Sequence, residues 1–305
     1  MTNDQEMCDN YAKIVLDKSR IHNNVWGWDV YGKGPTDYQC IYIKNGIVGW
    51  KWKNTGGPTF PTIVVGTSFC AWSSLWEMIP IKWKDVKSWT IDIEWNFITP
   101  PSGGWWNLAF DIYFIKVACI PPGGYADSNK GYNLMIWPQG YYGTNTTVSD
   151  GSHNFYVDNP TNQSWPRRIF MLKDSPATPY KETPGKGPFS LHIDVKKLFD
   201  NGVGSALNGE WMIDQIHFGN ESSGPGGSPN IGETNITKYD MDINGSKFSI
   251  NGGGGGGDGG GSGTDVTYWL NGTTCFTPTL CISNKYMVIG AGAVGLGLFM
   301  TMMKK

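Results

Sequence analysis

Two acidic residues lie in strand-like runs that also carry aromatic and amide side chains. Asp111 stands in Ala-Phe-Asp-Ile-Tyr, and Glu221 stands in Phe-Gly-Asn-Glu-Ser. Two carboxyl groups held about 5–5.5 Å apart can cleave a glycosidic bond, because one attacks the anomeric carbon while the other protonates the leaving oxygen. Neighbouring strands of a β-sandwich can deliver such a pair. Strand-borne carboxylates are therefore the first candidates for chemistry in this sequence.

The composition narrows the classes of ligand. The 305 residues include fifteen tryptophans. Tryptophan can stack on a sugar ring, but a sandwich also buries many aromatic residues, so both roles stay open for any one of them. The 24 Lys and Arg residues are balanced by 26 Asp and Glu residues, so we expect no nucleic-acid partner, which needs a basic surface. The Cys and His spacing matches no zinc motif, so we expect no metal and no cofactor.

The pattern of residues 21–250 is that of an all-β domain. Runs at 39–53, 90–98 and 107–115 are apolar or alternating over strand lengths, and clusters of Gly, Pro and Asn separate them. Helical periodicity is scarce; the exception is a strand at 189–195 that leads into a short helix ending on Gly202. The pattern predicts a two-sheet antiparallel sandwich or jelly roll over residues 1–250.

The C-terminal part of the chain has a different composition. Residues 251–263 form a Gly-rich run that predicts a linker. Residues 264–284 are interpreted as a stem, in which Cys275 and Cys281 could close a loop. Within 285–305, the uncharged stretch 286–303 is long enough for a transmembrane helix and predicts a single-pass membrane anchor. Its GxGxxG match at Gly290 is not interpreted as a nucleotide site, because too few residues follow for a βαβ unit.

Four strand motifs, in order along the chain, resemble those of glycoside hydrolase family 12. These are Asn-Asn-Val-Trp-Gly with Asn24 and Trp26, Ala-Phe-Asp-Ile-Tyr with Asp111, Tyr-Asn-Leu-Met-Ile-Trp with Asn133, and Phe-Gly-Asn-Glu with Glu221. The resemblance covers about residues 8–245 and implies a concanavalin-like β-jelly roll. It implies that Glu221 holds the position of the general acid/base, Asn133 that of the nucleophile, and Asp111 that of the residue supporting the nucleophile.

The resemblance also implies a sugar-binding set and a disulfide. Cys8 and Cys40 match the N-terminal disulfide of the family, whereas the pairing of Cys70, Cys119, Cys275 and Cys281 stays open. The N-terminus is polar and lacks the apolar core of a signal peptide, although disulfides favour an oxidising compartment. The expected sugar-binding residues are Asn24 and Trp26, which match the family's positions, and also Met135, Trp137, Trp105 and Trp106. The side chains of the adjacent Trp105 and Trp106 should point apart, so that one of the two is exposed or lies at an interface.

The departure at Asn133 changes the expected activity. An amide is a poor nucleophile and carries no charge to stabilise an oxocarbenium-like transition state, so normal hydrolysis is not expected. Asp111 could instead activate a water in an inverting reaction, or could merely hydrogen-bond the amide of Asn133. Asn220, Glu221 and Ser222 also form a glycosylation sequon, and a glycan there would obstruct the cleft.

Several functions stay open at this point. The favoured interpretation is a membrane-anchored, catalytically inactive glycosidase-like protein that binds β-glucan or another polysaccharide, or serves in assembly. One alternative is a structural, capsid-associated protein of a large membrane-containing virus, with capsid or other protein neighbours, because jelly rolls are common in capsids. Another is an active endo-β-1,4-glucanase with a rearranged carboxylate. The last is a tail-anchored protein whose cytosolic domain has reduced cysteines.

Overall fold

The computed structural model describes residues 4–67, 73–116, 131–140, 146–159, 167–173, 184–203, 206–224 and 229–250, and the backbone of 273–277 and 280–283. The chain divides into two compact units, Met1–Gly253 and Gly254–Lys305. The first unit contains every residue that the sequence marks as a site candidate.

The first unit is built almost entirely of strands. In chain order these are β1 Gln5–Met7, β2 Lys13–Val15, β3 Arg20–Asn24, β4 Tyr38–Lys44, β5 Ile47–Asn54, β6 Phe60–Gly66, β7 Ile81–Lys82, β8 Trp89–Ser102, β9 Trp105–Ile115, β10 Gly131–Gln139, β11 Thr147–Ser149, β12 Asn154–Asp158, β13 Arg167–Leu172, β14 Phe189–Asp194, β15 Met212–Ser223, β16 Asn230–Ile243 and β17 Ser246–Ser249. The helices are α1 Trp26–Tyr31 and α2 Val195–Val203, with a 3₁₀ turn at Trp83–Asp85.

The strands form two sheets. The first has the order β1-β4-β5-β16-β8-β14, with β17 paired to β16; the second has the order β11-β12-β13-β10-β9-β15-β6-β3-β2, with β7 paired to β15. Alternate residues of the central strands, such as Phe110, Ile112 and Phe218, belong to one large buried apolar cluster that also contains Trp50 and Trp95 of the first sheet. The core therefore lies between the two sheets, and the predicted sandwich is confirmed.

Local sequence explains the β4–β5 hairpin. Asn45 and Gly46 take left-handed backbone angles, with φ of 52° and 76°. Asn and Gly tolerate this conformation best, and an Asn-Gly turn twists in the sense that a hairpin needs. The hairpin places Trp50 and Trp52, both fully buried, against the second sheet.

Two details differ from the prediction. The second sheet is not wholly antiparallel, because β10 pairs in parallel with β13. The motif containing Trp26 is not one continuous strand, since β3 ends at Asn24 and α1 begins at Trp26. Gly27 donates its backbone N–H to the Pro58 carbonyl at 2.9 Å, and a Cβ at Gly27 would meet that oxygen at 2.2 Å. This close approach turns the chain out of the sheet.

The predicted helix after β14 is present, but it extends one residue beyond Gly202. The structure has α2 over Val195–Val203, where Leu198 and Phe199 are buried in the core. At Gly202 a Cβ would meet the Phe170 ring at 2.3 Å. This glycine therefore permits close packing of the helix on β13 rather than ending the helix.

The predicted disulfide between Cys8 and Cys40 is confirmed. Cys8 follows β1 and Cys40 lies in β4, so the bond joins the edge strand β1 to its neighbour. Cys70 and Cys119 lie outside the described residues.

The second unit contains one described hairpin, β18 Thr273–Thr277 with β19 Leu280–Ser283, in which Cys275 lies opposite Cys281. The described residues include no helix long and apolar enough to cross a membrane. The Gly-rich run 251–263 and the stretch 286–303 lie outside the described residues, so the linker and the membrane anchor stay predictions.

Candidate functional site

The candidate residues lie on the outer face of the second sheet, which we define as the face of β9, β10 and β15 that carries Asp111, Asn133 and Glu221. Alternation along each strand sends the neighbouring residues into the core and these residues outward. β9 lies between β10 and β15. In its register Met135 and His217 flank Asp111, Asn133 lies opposite Tyr113, and Glu221 lies opposite Asn107.

Glu221 lies beside an open pocket. The pocket has a volume of about 450 Å³ and is lined by Pro58, Trp105, Glu221 and Ser223. The Asn107 Nδ2 donates to Glu221 Oε2 at 3.3 Å, and the Glu221 backbone N–H donates to Asn107 Oδ1 at 3.2 Å. Burial raises the pKa of Glu221 to about 7, although Arg167 and the bond from Asn107 act in the opposite sense. A carboxyl group with this pKa can donate a proton near neutral pH.

Asp111 is buried in the middle of the same face. Burial and the neighbouring charge of Glu221 raise the pKa of Asp111 to about 7, against the lowering effects of a Tyr113 hydrogen bond and the charge of Arg167. The Tyr113 hydroxyl donates to Asp111 Oδ2 at 3.1 Å, whereas Asp111 Oδ1 is buried without a hydrogen-bond partner. The two carboxyl groups are thus electrostatically coupled across neighbouring strands.

Asn133 has a different environment from Glu221. It is only 4% exposed, and its Nδ2 donates a long bond of 3.5 Å to the Ile112 carbonyl. On β13, the strand that pairs with β10 on the side away from β9, Asn133 lies opposite Arg167. The charge of Arg167 lowers the pKa of both Asp111 and Glu221. The group beside Asn133 is therefore a cation, and the Asn133 side chain itself is neutral.

Two histidines, the buried His217 and the half-buried His22, complete this face. Burial lowers the pKa of His217 to about 3 and that of His22 to about 4, so both are neutral at pH 7. His217 Nε2 lies 2.8 Å from Gln215 Oε1, and its ring meets the Tyr113 ring edge-on with centroids 5.4 Å apart. These contacts hold His217 against the strand next to Asp111.

The predicted sugar-binding tryptophans of β9 point in opposite directions. Trp105 is half-buried on the outer face and lines the Glu221 pocket. Its ring meets the Trp137 ring edge-on, with the ring centroids 6.1 Å apart. Trp106 faces the core, where it packs edge-on against Phe97 at 5.8 Å. The structure therefore does not bring Trp106 to the candidate site, because adjacent residues of a strand occupy opposite faces.

Met135 and Trp137 lie on the outer face but are buried. They belong to a small apolar cluster beneath the site, so the Trp137 ring is packed against other side chains and is not exposed for a sugar to stack on. Its members are Ala109, Met135, Trp137, Ile169 and Met171, with Trp105 and Tyr156 packed against them.

Asn24 and Trp26 lie where β3 ends and α1 begins. Asn24 Oδ1 accepts the Trp26 backbone N–H at 3.3 Å, and the Trp26 side chain is 39% exposed. Gly27 connects this turn to Pro58, which lines the pocket of Glu221. The backbone of α1 thus meets a residue of the pocket wall, while the Trp26 ring is exposed and packs edge-on against Tyr31.

The glycosylation sequon is buried. Asn220 is fully buried; its Oδ1 accepts hydrogen bonds of 2.8 Å from both Trp50 and Thr234, and its Nδ2 donates to the Asn107 carbonyl at 2.9 Å. The folded domain has no room for a glycan at Asn220. This residue instead attaches the Glu221 strand to the core.

Four further polar residues of the site were missed by sequence reasoning: Asn107, Tyr113, Arg167 and His217. Asn107 and Tyr113 could have been found from the alternation around Asp111, since i−4 and i+2 share its face. Arg167 gave no comparable signal, because it comes from a strand distant in sequence that joins β10 in parallel.

Solved structures of family 12 glycoside hydrolases share this arrangement of sheets. A family 12 xyloglucanase from Bacillus licheniformis is 19% identical, with a TM-score of 0.59 over 78% of this chain and 100% of that chain. An endoglucanase from Rhodothermus marinus is 19% identical, with a TM-score of 0.58 over 80% and 100%. Endoglucanase 3 from Trichoderma harzianum is 17% identical, with a TM-score of 0.55 over 80% and 99%.

The class of fold is therefore the jelly roll of family 12 glycoside hydrolases. No protein-family model matches the sequence, and no curated protein matches it. At 17–19% identity, the structural likeness shows the fold alone.

Proposed function

We propose that the first unit binds a polysaccharide, of the β-glucan type or a related one, on the outer face of the second sheet, and does not hydrolyse it by the two-carboxylate route. The observation that carries this proposal is the asymmetry of the site. Glu221 keeps an open pocket, an aromatic neighbour in Trp105 and a pKa of about 7. The position that the family resemblance assigns to the nucleophile holds the amide of Asn133.

The loss of one carboxylate removes the covalent step. A retaining glycosidase needs the nucleophile to form the glycosyl-enzyme, and an amide cannot replace it. Asp111 is a poor substitute, because it is only 9% exposed and accepts a hydrogen bond from Tyr113. An inverting reaction would also need room for a water between the acid and the base.

Binding is tested by titrating soluble xyloglucan or β-glucan oligosaccharides into the full chain while following heat and tryptophan fluorescence. Trp105→Ala should weaken binding about tenfold, because a stacked ring contributes on the order of 1 kcal/mol. Trp106→Phe is the matched control, since it changes the adjacent residue on the core face and should leave affinity unchanged. A flat titration of the wild type with every such oligosaccharide would sink the proposal.

We also propose that residues 251–263 link this unit to a short stem and to a membrane anchor at 286–303. The support is the length and lack of charge of that stretch, bounded by Lys285, Lys304 and Lys305. Full-length chain should remain with membranes in alkaline carbonate, and a chain ending at residue 284 should not. The capsid-associated role and the endoglucanase with a rearranged carboxylate stay predictions from the sequence.

A further inference from the structure

A row of hydrogen-bonding side chains crosses four strands at one end of the outer face. Arg167 of β13 lies opposite Asn133 of β10, Asn133 lies opposite Tyr113 of β9, and Tyr113 lies opposite Gln215 of β15. Side chains directly opposite on one face of a sheet are close neighbours. The row therefore presents a guanidinium, two amides and a phenol side by side, and contains no carboxylate.

Arg167 has unused capacity to bind an anion. Its Nε is buried and has no hydrogen-bond partner, although the residue as a whole is half-buried rather than enclosed. Among the described residues, no carboxylate is within salt-bridge distance of its guanidinium. A guanidinium presents its N–H groups in a fixed fork that matches the two oxygens of a carboxylate.

The surrounding charges also favour an anion at this position. Asp111 and Glu221 are the carboxyl groups that interact electrostatically with Arg167, and both have a pKa near 7. At pH 6 most of each is therefore neutral, so at that pH the two groups cancel only a small part of the charge of Arg167. An anionic ligand that approached Arg167 at pH 6 would meet a site with little negative charge.

We propose that the polysaccharide bound by this domain carries carboxylates, and that Arg167, with the amide of Asn133 beside it, binds the carboxylate of a uronic acid residue. This inference rests on the proposed function and names its ligand class. A β-1,4-linked glucuronan has the backbone of a β-1,4-glucan, with a carboxylate in place of the C6 hydroxymethyl group. It would fit the same cleft and would bring one anion per sugar ring.

The test compares two ligands that differ only at C6. Oligo-β-1,4-glucuronate and the cello-oligosaccharide of equal length are titrated calorimetrically into the full chain at pH 6, where Asp111 and Glu221 are mostly neutral. We expect the glucuronate to bind at least about tenfold more tightly, since a hydrogen bond between charged groups is worth that much or more. Arg167→Gln should abolish the preference for glucuronate and retain binding of the neutral ligand.

Arg168→Gln is the matched control. Arg168 is the next residue of β13 and lies on its other face, where it bonds Asn159 and the Gly202 carbonyl. This variant removes the same charge from the same strand and should keep the preference. Thermal unfolding of both variants confirms that each one is folded.

The possible results separate the two proposals. If neither ligand binds, the proposed function itself fails. If both bind equally and Arg167→Gln changes neither affinity, glycan binding stands and the uronate inference is overturned. A sulfated cello-oligosaccharide that matches the affinity of the glucuronate would also overturn it, because it would show that the site selects charge rather than a carboxylate.

Discussion

The two ends of the outer face share strand β9 and differ in chemistry. At the Glu221 end, defined by Glu221, Asn107 and Trp105, a carboxyl group faces an open pocket. At the Asn133 end, defined by Asn133, Arg167 and Tyr113, an amide and a cation lie in a largely buried row. The side chains of both ends lie on outward-facing residues of the same sheet, so the chemical difference comes from the side chains and not from the backbone.

Under the proposed function, this difference means that one sheet keeps half of a catalytic arrangement. The Glu221 end retains what proton donation needs, namely a carboxyl group with a raised pKa and a hydrogen bond that orients it. At the Asn133 end, the family resemblance assigns the nucleophile's position to an uncharged amide. Hydrolysis by a covalent route needs a carboxylate at each end, and binding does not.

The largest expected effect comes from making the two ends alike. Asn133→Glu places a carboxylate where the resemblance locates the nucleophile. We expect release of reducing sugar from soluble β-glucan to rise on the order of a thousandfold above the wild type, since catalytic carboxylates contribute several powers of ten.

Two controls accompany this variant. Asn133→Gln preserves the amide and should stay inactive, and Glu221→Gln in the Asn133→Glu background should remove the gained activity. If Asn133→Glu is folded and inactive, the two ends differ by more than one carboxylate.

The next effect concerns the attachment of the Glu221 end to the core. Asn220→Ala removes the acceptor for Trp50 and Thr234 and the donor to the Asn107 carbonyl. Because the partner groups would be buried and unsatisfied, we expect the free energy of unfolding to fall by about 3 kcal/mol. Denaturant unfolding measures this value. Asn201→Ala, at an exposed helix position, should cost less than about 1 kcal/mol.

A pH-dependent effect of intermediate size isolates Glu221. Its pKa rises from an ordinary 4.5 to about 7 on folding, so the unfolded state releases a proton that the folded state keeps between these values. Glu221 therefore costs stability as pH rises through this window, and Glu221→Gln should gain stability relative to the wild type there. We expect a gain of about 2 kcal/mol at pH 8 relative to pH 4.5, after allowance for solvent screening.

The comparison must be between variant and wild type at each pH. His22 and His217 have lowered pKa values of about 4 and 3, so they make the folded state less stable as pH falls below 6.5. Their contribution opposes that of the carboxyl groups and flattens the overall profile. Glu210→Gln, at an exposed position, is the control; an identical pH profile for both variants would contradict the assignment.

The smallest effect tests whether the glycan reaches α1. Trp26 is exposed at the start of α1, and Gly27 holds that helix on Pro58, which lines the Glu221 pocket. Trp26→Ala should weaken oligosaccharide binding by about two- to fivefold, as expected for one exposed stacking ring. Tyr38→Ala removes an exposed aromatic ring from the first sheet and should have no effect. Equal affinities for Trp26→Ala and wild type would confine the ligand to the sheet.

The sequence predicted which strands form the site better than it predicted which side chains from different strands lie next to one another. Alternation and turn residues located β9 and the β4–β5 hairpin, because these patterns are local. The motifs marked Asp111 and Glu221, but Arg167 became visible only in the sheet, since a parallel pairing of distant strands leaves no local trace. The sequence indicated that Trp105 and Trp106 point apart but not which of the two is exposed; because both lie in β9, alternation places Trp106 in the core and Trp105 on the outer face.

Asn220 also has a consequence for how the protein can be made. Oligosaccharyltransferase acts on nascent, unfolded chain, where Asn220-Glu221-Ser222 is an accessible acceptor. A glycan added before β15 pairs with β9 would occupy the place of Trp50 and Thr234, and the sandwich could not close. Production in a compartment that lacks this enzyme avoids the competition between modification and folding. In a secretory host, Asn220→Asp or Ser222→Ala would show whether that competition limits the yield.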